Sequence, residues 1–104
     1  MTAFLVVRAV VADPNDRAAF DRWYQTEHLP DAVKAFKARA GMRGWSMVDP
    51  SVHTAYYRFD TLEQVQAINS GPEIKGLIAE FDRVWDARVV RTRDIFVVSD
   101  EVKG

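Results

Sequence analysis

Between Ala3 and Val11 the chain reads AFLVVRAVV, a β-branched run that is apolar on both faces of an extended strand. Alternation puts Ala3, Leu5, Val7 and Ala9 on one side, and Phe4, Val6 and Val10 with Arg8 on the other. A strand of this kind needs cover on both sides, so any fold that lays helices on one face leaves the second face in need of another layer. Arg8 interrupts the run, no basic leader precedes it, and it falls well short of the roughly 20 apolar residues that span a bilayer. It reads as a buried strand, and the expected location is cytoplasmic.

The elements that follow have clear start and stop signals. Asp13 with Pro14 and Asp16 opens a helix expected to run to about Leu29, where Pro30 ends or kinks it. A second helical piece from Pro30 to about Arg39 presents Val33 and Phe36 and is stopped by Gly41. Met42 to Val48 and Val52 to Phe59 form an antiparallel hairpin turning at Asp49, Pro50 and Ser51. Thr61 and Gln64 make a capping box before Leu62, Val65 and Ile68, and Ser70 and Glu73 suggest another. The helix after it carries Ile74, Leu77, Ile78, Phe81 and Trp85 at spacings of three and four, the strongest amphipathic signal in the chain. Val89 to Val98 is the last strand. The order β-α-β-β-α-β predicts an α+β, ferredoxin-like domain spanning 1–104, a four-stranded antiparallel sheet with helices on one face. The exposed second face predicts a homodimer packed sheet on sheet. Covering about 600 Å² per subunit at ~25 cal/mol per Å² contributes on the order of 15 kcal/mol before association costs.

Charge and composition narrow the partners. A formal net charge of −1 gives no electrostatic case for nucleic acid or an anionic membrane, and the absence of cysteine removes disulfides, thiolate nucleophiles and iron–sulfur sites.

The segment from Trp23 to Pro30, WYQTEHLP, carries the candidate chemistry. At 100° per residue Phe20, Trp23, Tyr24 and Glu27 fall within about 100° of one another, with His28 at the edge of that arc. The helix end then leaves Glu27 and His28 at the rim of a pocket. An unperturbed imidazole titrates near neutrality, which would suit His28 to proton transfer; it equally suits capping the last carbonyls of the helix. Glu27 either orients His28 or acts as base, or forms an ion pair with Arg8 or Arg43. Arg8 either pairs with Glu27 or faces the cleft, where it would hold a carboxylate or enolate oxygen. Trp23 and Tyr24 are core residues that also suit a pocket wall, and Trp45, Tyr56 and Tyr57 lie on strands with one buried face, where a hydroxyl needs a partner. His53, beside the hairpin turn, reads as solvated. Nothing in the spacing of the two histidines makes a metal site. No cofactor is called for, although either histidine suits an axial haem position.

Taken together, FDRWYQTEHLP (Phe20 to Pro30), the glycine and strand from Gly41 to Val48, and YYRFDTLEQV (Tyr56 to Val65) resemble the dimeric α+β barrel superfamily, and W-Y-x-x-E-H-x-P most resembles its EthD-like branch. The resemblance implies a dimer whose sheets enclose a central barrel, with a small-molecule cleft in each subunit between the sheet and its own helices. It also implies His28 as acid or base in a cofactor-independent isomerase or cyclase, the cysteines of some lactone isomerases having no counterpart here. Two other functions fit the same resemblance: cofactor-free oxygen insertion, and a non-catalytic ligand-binding or structural dimer.

Overall fold

The computed structural model describes residues 1–104. Its elements are β1 (Ala3–Val11), α1 (Arg17–Trp23), α2 (Leu29–Phe36), β2 (Ala40–Trp45), β3 (Val52–Phe59), α3 (Leu62–Asn69), α4 (Pro72–Trp85) and β4 (Val89–Val97). All pairings are antiparallel and the strand order is β2-β3-β1-β4, the expected ferredoxin-like sheet with helices on one face. Register aligns Leu5 with Tyr57 and Ile95, and Ala9 with His53 and Arg91. Odd-numbered residues of β1, β3 and β4 therefore face the helices, and even-numbered ones face away.

The helical segment after β1 departs from its sequence reading. Asp13 accepts a hydrogen bond from the Asn15 N–H and caps a 3₁₀ turn, Pro14–Asp16, that runs into α1. The chain does not break at Leu29. It passes through a π turn, Tyr24–His28, into α2, and the Leu29 N–H donates to the Tyr24 carbonyl five residues back. Proline is the cause: Pro30 has no N–H and its ring crowds the carbonyl four residues earlier, so the helix widens. The Thr26 hydroxyl, 2.8 Å from the Arg22 carbonyl, occupies an acceptor in the widened turn.

Other boundaries shift for local reasons. Helix α2 ends at Phe36 because Lys37 takes the left-handed conformation (φ 54°). Ser46 accepts from the Val48 and Asp49 N–H groups and ends β2 at Trp45, leaving Met47 and Val48 exposed. The capping box at Thr61 and Gln64 forms. The one at Ser70 does not: its hydroxyl donates to the Gln66 carbonyl at the end of α3, and Gly71 precedes Pro72 at the start of α4.

The core lies between the sheet and the helices and is largely aromatic. Phe20 is fully buried and packs against Trp23, Tyr24, Trp45, His53, Phe81 and Trp85, with ring centroids 5.1–6.2 Å apart. The opposite sheet face is open. On it Phe4 meets Tyr56 and Phe96, both at 6.3 Å, and Tyr56, Phe96, Val90 and Met42 remain exposed.

Gly41 acts in β2 and not as a helix stop. A Cβ there would lie 2.5 Å from Val33 Cγ2 and 3.2 Å from Leu29 Cδ1, so the missing side chain lets α2 approach the sheet. Gly41→Ala is expected to destabilise the fold by about 1–3 kcal/mol in chemical denaturation, and Val33→Ala in the same chain is expected to recover much of that loss.

Candidate functional site

Helix α4 stands over β1 and β4 with an open cleft of ≈ 290 Å³ beneath it. Ile74, Leu77, Ile78 and Phe81 form the roof, and Leu5, Val7, Tyr57 and Val89 form the floor on the sheet. Phe36 of α2 and His28 of the π turn close one side; Arg91 and Arg93 of β4 add the charge. The wall is mostly apolar with a few polar groups, the usual character of a small-molecule site.

The π turn decides which side chain enters it. One extra residue in the turn puts His28 where an ideal α-helix would put Glu27. His28 is accordingly 9 % exposed and its ring stacks on Trp23 (centroids 4.6 Å apart, planes 19° apart), with Tyr24 and Phe81 edge-on at 4.8 and 5.5 Å. Neither ring nitrogen has a hydrogen-bond partner in the protein, and the residue lines the cleft. Burial first, and then the positive field of Arg91, push the imidazole down to about 4, against a small opposing pull from Glu80. At neutral pH it is uncharged.

Beneath the cleft, the Tyr57 and Tyr24 hydroxyls are 3.2 Å apart and buried. One hydrogen satisfies that contact, and the second has no acceptor in the protein. Either hydroxyl can be the donor in that contact, and of the two tyrosines Tyr57 lines the cleft. Burial raises both phenols, Tyr24 to about 12, so both stay protonated. Behind them Asp21 Oδ1 accepts from Arg43 Nη1 and Trp45 Nε1, each at 2.8 Å, and Arg43 Nη1 also lies 3.3 Å from His53 Nε2. The Trp45 and Arg43 bonds hold the Asp21 carboxyl below its ordinary range. A guanidinium only donates, so Nε2 accepts and the His53 proton sits on Nδ1, which is buried without a partner. Burial, then Arg43, push His53 down to about 4 against the pull of Asp21.

Of the residues singled out from sequence, His28 and Tyr57 reach the cleft. Trp23 and Tyr24 stand directly behind them, and Trp45 is committed to Asp21. Three expectations are corrected. Glu27 is exposed, without an ion pair to Arg8 or Arg43, because the π turn rotates it outward. Arg8 lies on the open sheet face between Thr54 and Thr92, on the far side of β1 from the cleft, because its even position points away from the helices. His53 is 0 % exposed where solvation was expected, since its odd position in β3 turns it under Phe20. Arg91 and Arg93 went unnoticed in the sequence; their spacing, in phase with Val89, Ile95 and Val97, is the signal that puts them on the helix side. No three His, Asp or Glu side chains gather as a metal site, and no helix is long and apolar enough to cross a membrane.

No protein-family model and no curated protein matches the chain. Solved structures do. An ethyl tert-butyl ether d (EthD) family protein of Bacillus halodurans is 19 % identical with a TM-score of 0.71, the match covering 94 % of this chain and 99 % of that one. A dimeric ferredoxin-like protein from an uncultured marine organism is 16 % identical with a TM-score of 0.73, covering 97 % and 98 %. SnoaB, a cofactor-independent oxygenase from Streptomyces nogalater, is 9 % identical with a TM-score of 0.71, covering 99 % and 98 %. The fold is the ferredoxin-like fold of these structures, an EthD family protein and a dimeric ferredoxin-like protein among them.

The two buried histidines give stability a pH dependence. Each has a folded value of about 4 against 6.5 when exposed, so between those limits the unfolded chain binds more protons and stability rises with pH. It is complete above about pH 6.5 and is lost as pH falls toward 4, on the order of 3 kcal/mol for each histidine. Thermal unfolding from pH 7.5 to 4.5 is expected to show this decline, and His53→Phe to flatten it by about half.

Proposed function

We propose that this chain is a cofactor-independent enzyme that moves a proton on a small cyclic or aromatic metabolite, with His28 as the proton acceptor. The observation that carries the reading is an uncharged imidazole held rigidly against Trp23, without a protein partner for either nitrogen, at the side of a mostly apolar cleft. A neutral imidazole accepts; with a value of about 4 it carries no proton to give at neutral pH until it has taken one from the ligand. In the step proposed, a C–H proton next to a carbonyl passes to His28 and its electron pair becomes an enolate. The Tyr57 hydroxyl, fixed by Tyr24, donates to the enolate oxygen. Where a C=C is conjugated with the enolate, return of the proton from His28 to the far carbon of that dienolate shifts the double bond and yields the isomer, and no oxidant or reductant is needed.

Oxygen insertion is the second reading, supported by the likeness to the Streptomyces oxygenase and to an antibiotic biosynthesis monooxygenase-type structure from Deinococcus radiodurans. It begins with the same abstraction from an activated methylene. The carbanion then supplies all the electrons: one atom of O₂ becomes the new carbonyl oxygen and the other leaves as water.

The working unit proposed is a homodimer joined through the open face of Tyr56, Phe96, Val90 and Met42. Both the apolar character of that face and the dimeric ferredoxin-like neighbour support it.

Two measurements test these readings. The protein is expected to accelerate α-proton exchange of 2-tetralone in D₂O, followed by NMR. His28→Phe, which keeps the ring packing, is expected to lower the rate by roughly 100-fold or more with little change in thermal stability; an unchanged rate removes His28 from the chemistry. In sedimentation at micromolar concentration the chain is expected to be dimeric, and Tyr56→Asp with Phe96→Asp to yield a folded monomer.

A further inference from the structure

The charges lining the cleft are of one sign. Arg91 and Arg93 lie two residues apart on the helix-facing side of β4, so their Cα atoms are about 7 Å apart. No carboxylate lines the cleft with them, and His28 is uncharged there at neutral pH. Their situations differ. Arg91 is half-buried, ion-paired with Asp82, and lies over Phe81 with its guanidinium carbon 3.8 Å from the ring centroid. Arg93 has no hydrogen bond and no ion pair, and it stands exposed at the rim, where the cleft meets a shallow hollow beside Asn69. Its neighbour Asp94 also lines that hollow and accepts from the Ile95 N–H with its carboxylate.

An apolar cleft with two like charges on one wall, one of them already ion-paired, is complementary to a ligand with a flat apolar body and a single anionic end. A planar carboxylate matches the guanidinium fork in two parallel hydrogen bonds, while Leu77, Ile78 and Val7 of the same cleft offer apolar surface to the ring. The volume of ≈ 290 Å³ lies at the small end for ligand sites and suits one or two fused rings. We infer that the cleft takes a small mono- or bicyclic acid whose carboxylate is anchored by Arg93, with Arg91 supplying a fixed positive field beside the ring. This rests on the reading of the cleft as a substrate site and names the class of substrate it admits. Arg93 is thereby a specificity residue that meets the anionic end, while His28 and Tyr57 meet the ring.

Calorimetric titration with 2-naphthoate and its neutral isostere naphthalene-2-carboxamide tests the assignment. Naphthoate is expected to bind at least tenfold more tightly than the carboxamide, to weaken as salt is raised, and to lose its advantage in Arg93→Gln. Because Arg93 is exposed on an edge strand and makes no bond within the protein, that variant is expected to fold normally. Equal binding of the two probes, or an Arg93→Gln variant that still prefers naphthoate, overturns the anchoring role while leaving the cleft and His28 as proposed. Failure of both probes to bind overturns the anionic substrate and the substrate-site reading together. His28→Phe is expected to keep the preference for naphthoate, which separates the anchor from the proton acceptor.

Discussion

A single proline sets the arrangement on which the site depends. Pro30 lies within a helical run that continues to Phe36, and the run accommodates it by widening one turn instead of breaking. Without the extra residue, 100° steps from Phe20 would place Ala32 and Phe36 at about 120° and 160°, away from the sheet. With it they fall at about 20° and 60°, and both are buried. The widened turn thus brings α1 and α2 to the same sheet face with their apolar sides in phase. It also exchanges Glu27 for His28 at the inner surface, so an uncharged base replaces a carboxylate that an apolar wall could not hold.

Close approach and stand-off then divide the helix layer. Gly41 lets α2 settle on β2 through Val33 and Leu29, while α4 leaves a space between itself and the sheet. The gap is the cleft. Under its inner end the aromatic core gives way to a polar layer: the Tyr24 and Tyr57 hydroxyls, and the set of Asp21, Arg43, Trp45 and His53. Arg43 lies 5.9 Å from the Tyr24 ring centre, so the guanidinium ties the tyrosine to the ion pair without a direct bond to its hydroxyl. These interactions fix the floor against which a ligand would press, and they keep Tyr57 in one orientation.

The fold was legible because its signals are periodic. The two-sided apolar strand at Ala3–Val11, the Thr61 capping box and the stripe on α4 each specify an element independently of the rest, and together they admit few topologies. The site was legible only in part, because its residues depend on register and phase. His28 was singled out by its place in the helix end, but its facing required knowing that Pro30 widens the turn. The sequence does hold a trace of this: Phe20, Trp23 and Tyr24 define one stripe, Ala32 and Phe36 another, and the two are a residue out of step. Arg8 attracted notice as a charge in an apolar strand, yet its even position turns it from the helices. Arg91 and Arg93 looked ordinary in a mixed strand, and only their parity with Val89 and Ile95 ties them to the cleft. His53 was misjudged because a residue beside a turn is usually wet, whereas Phe20 and Trp45 cover this one.

The electrostatics of the cleft make its parts interdependent. Burial and Arg91 together keep His28 uncharged, which leaves it a weak base toward an empty or neutral cleft. A negative charge beside it would oppose the second of these influences, because an anion near Arg91 offsets its field and favours the protonated ring. In the proposed reaction the imidazole would therefore become more basic as an enolate developed, when a proton would have to be held close to it. An environment that depresses the free base and strengthens it only in the presence of anionic charge stabilises the reacting state more than the resting one, and that difference is what accelerates a reaction.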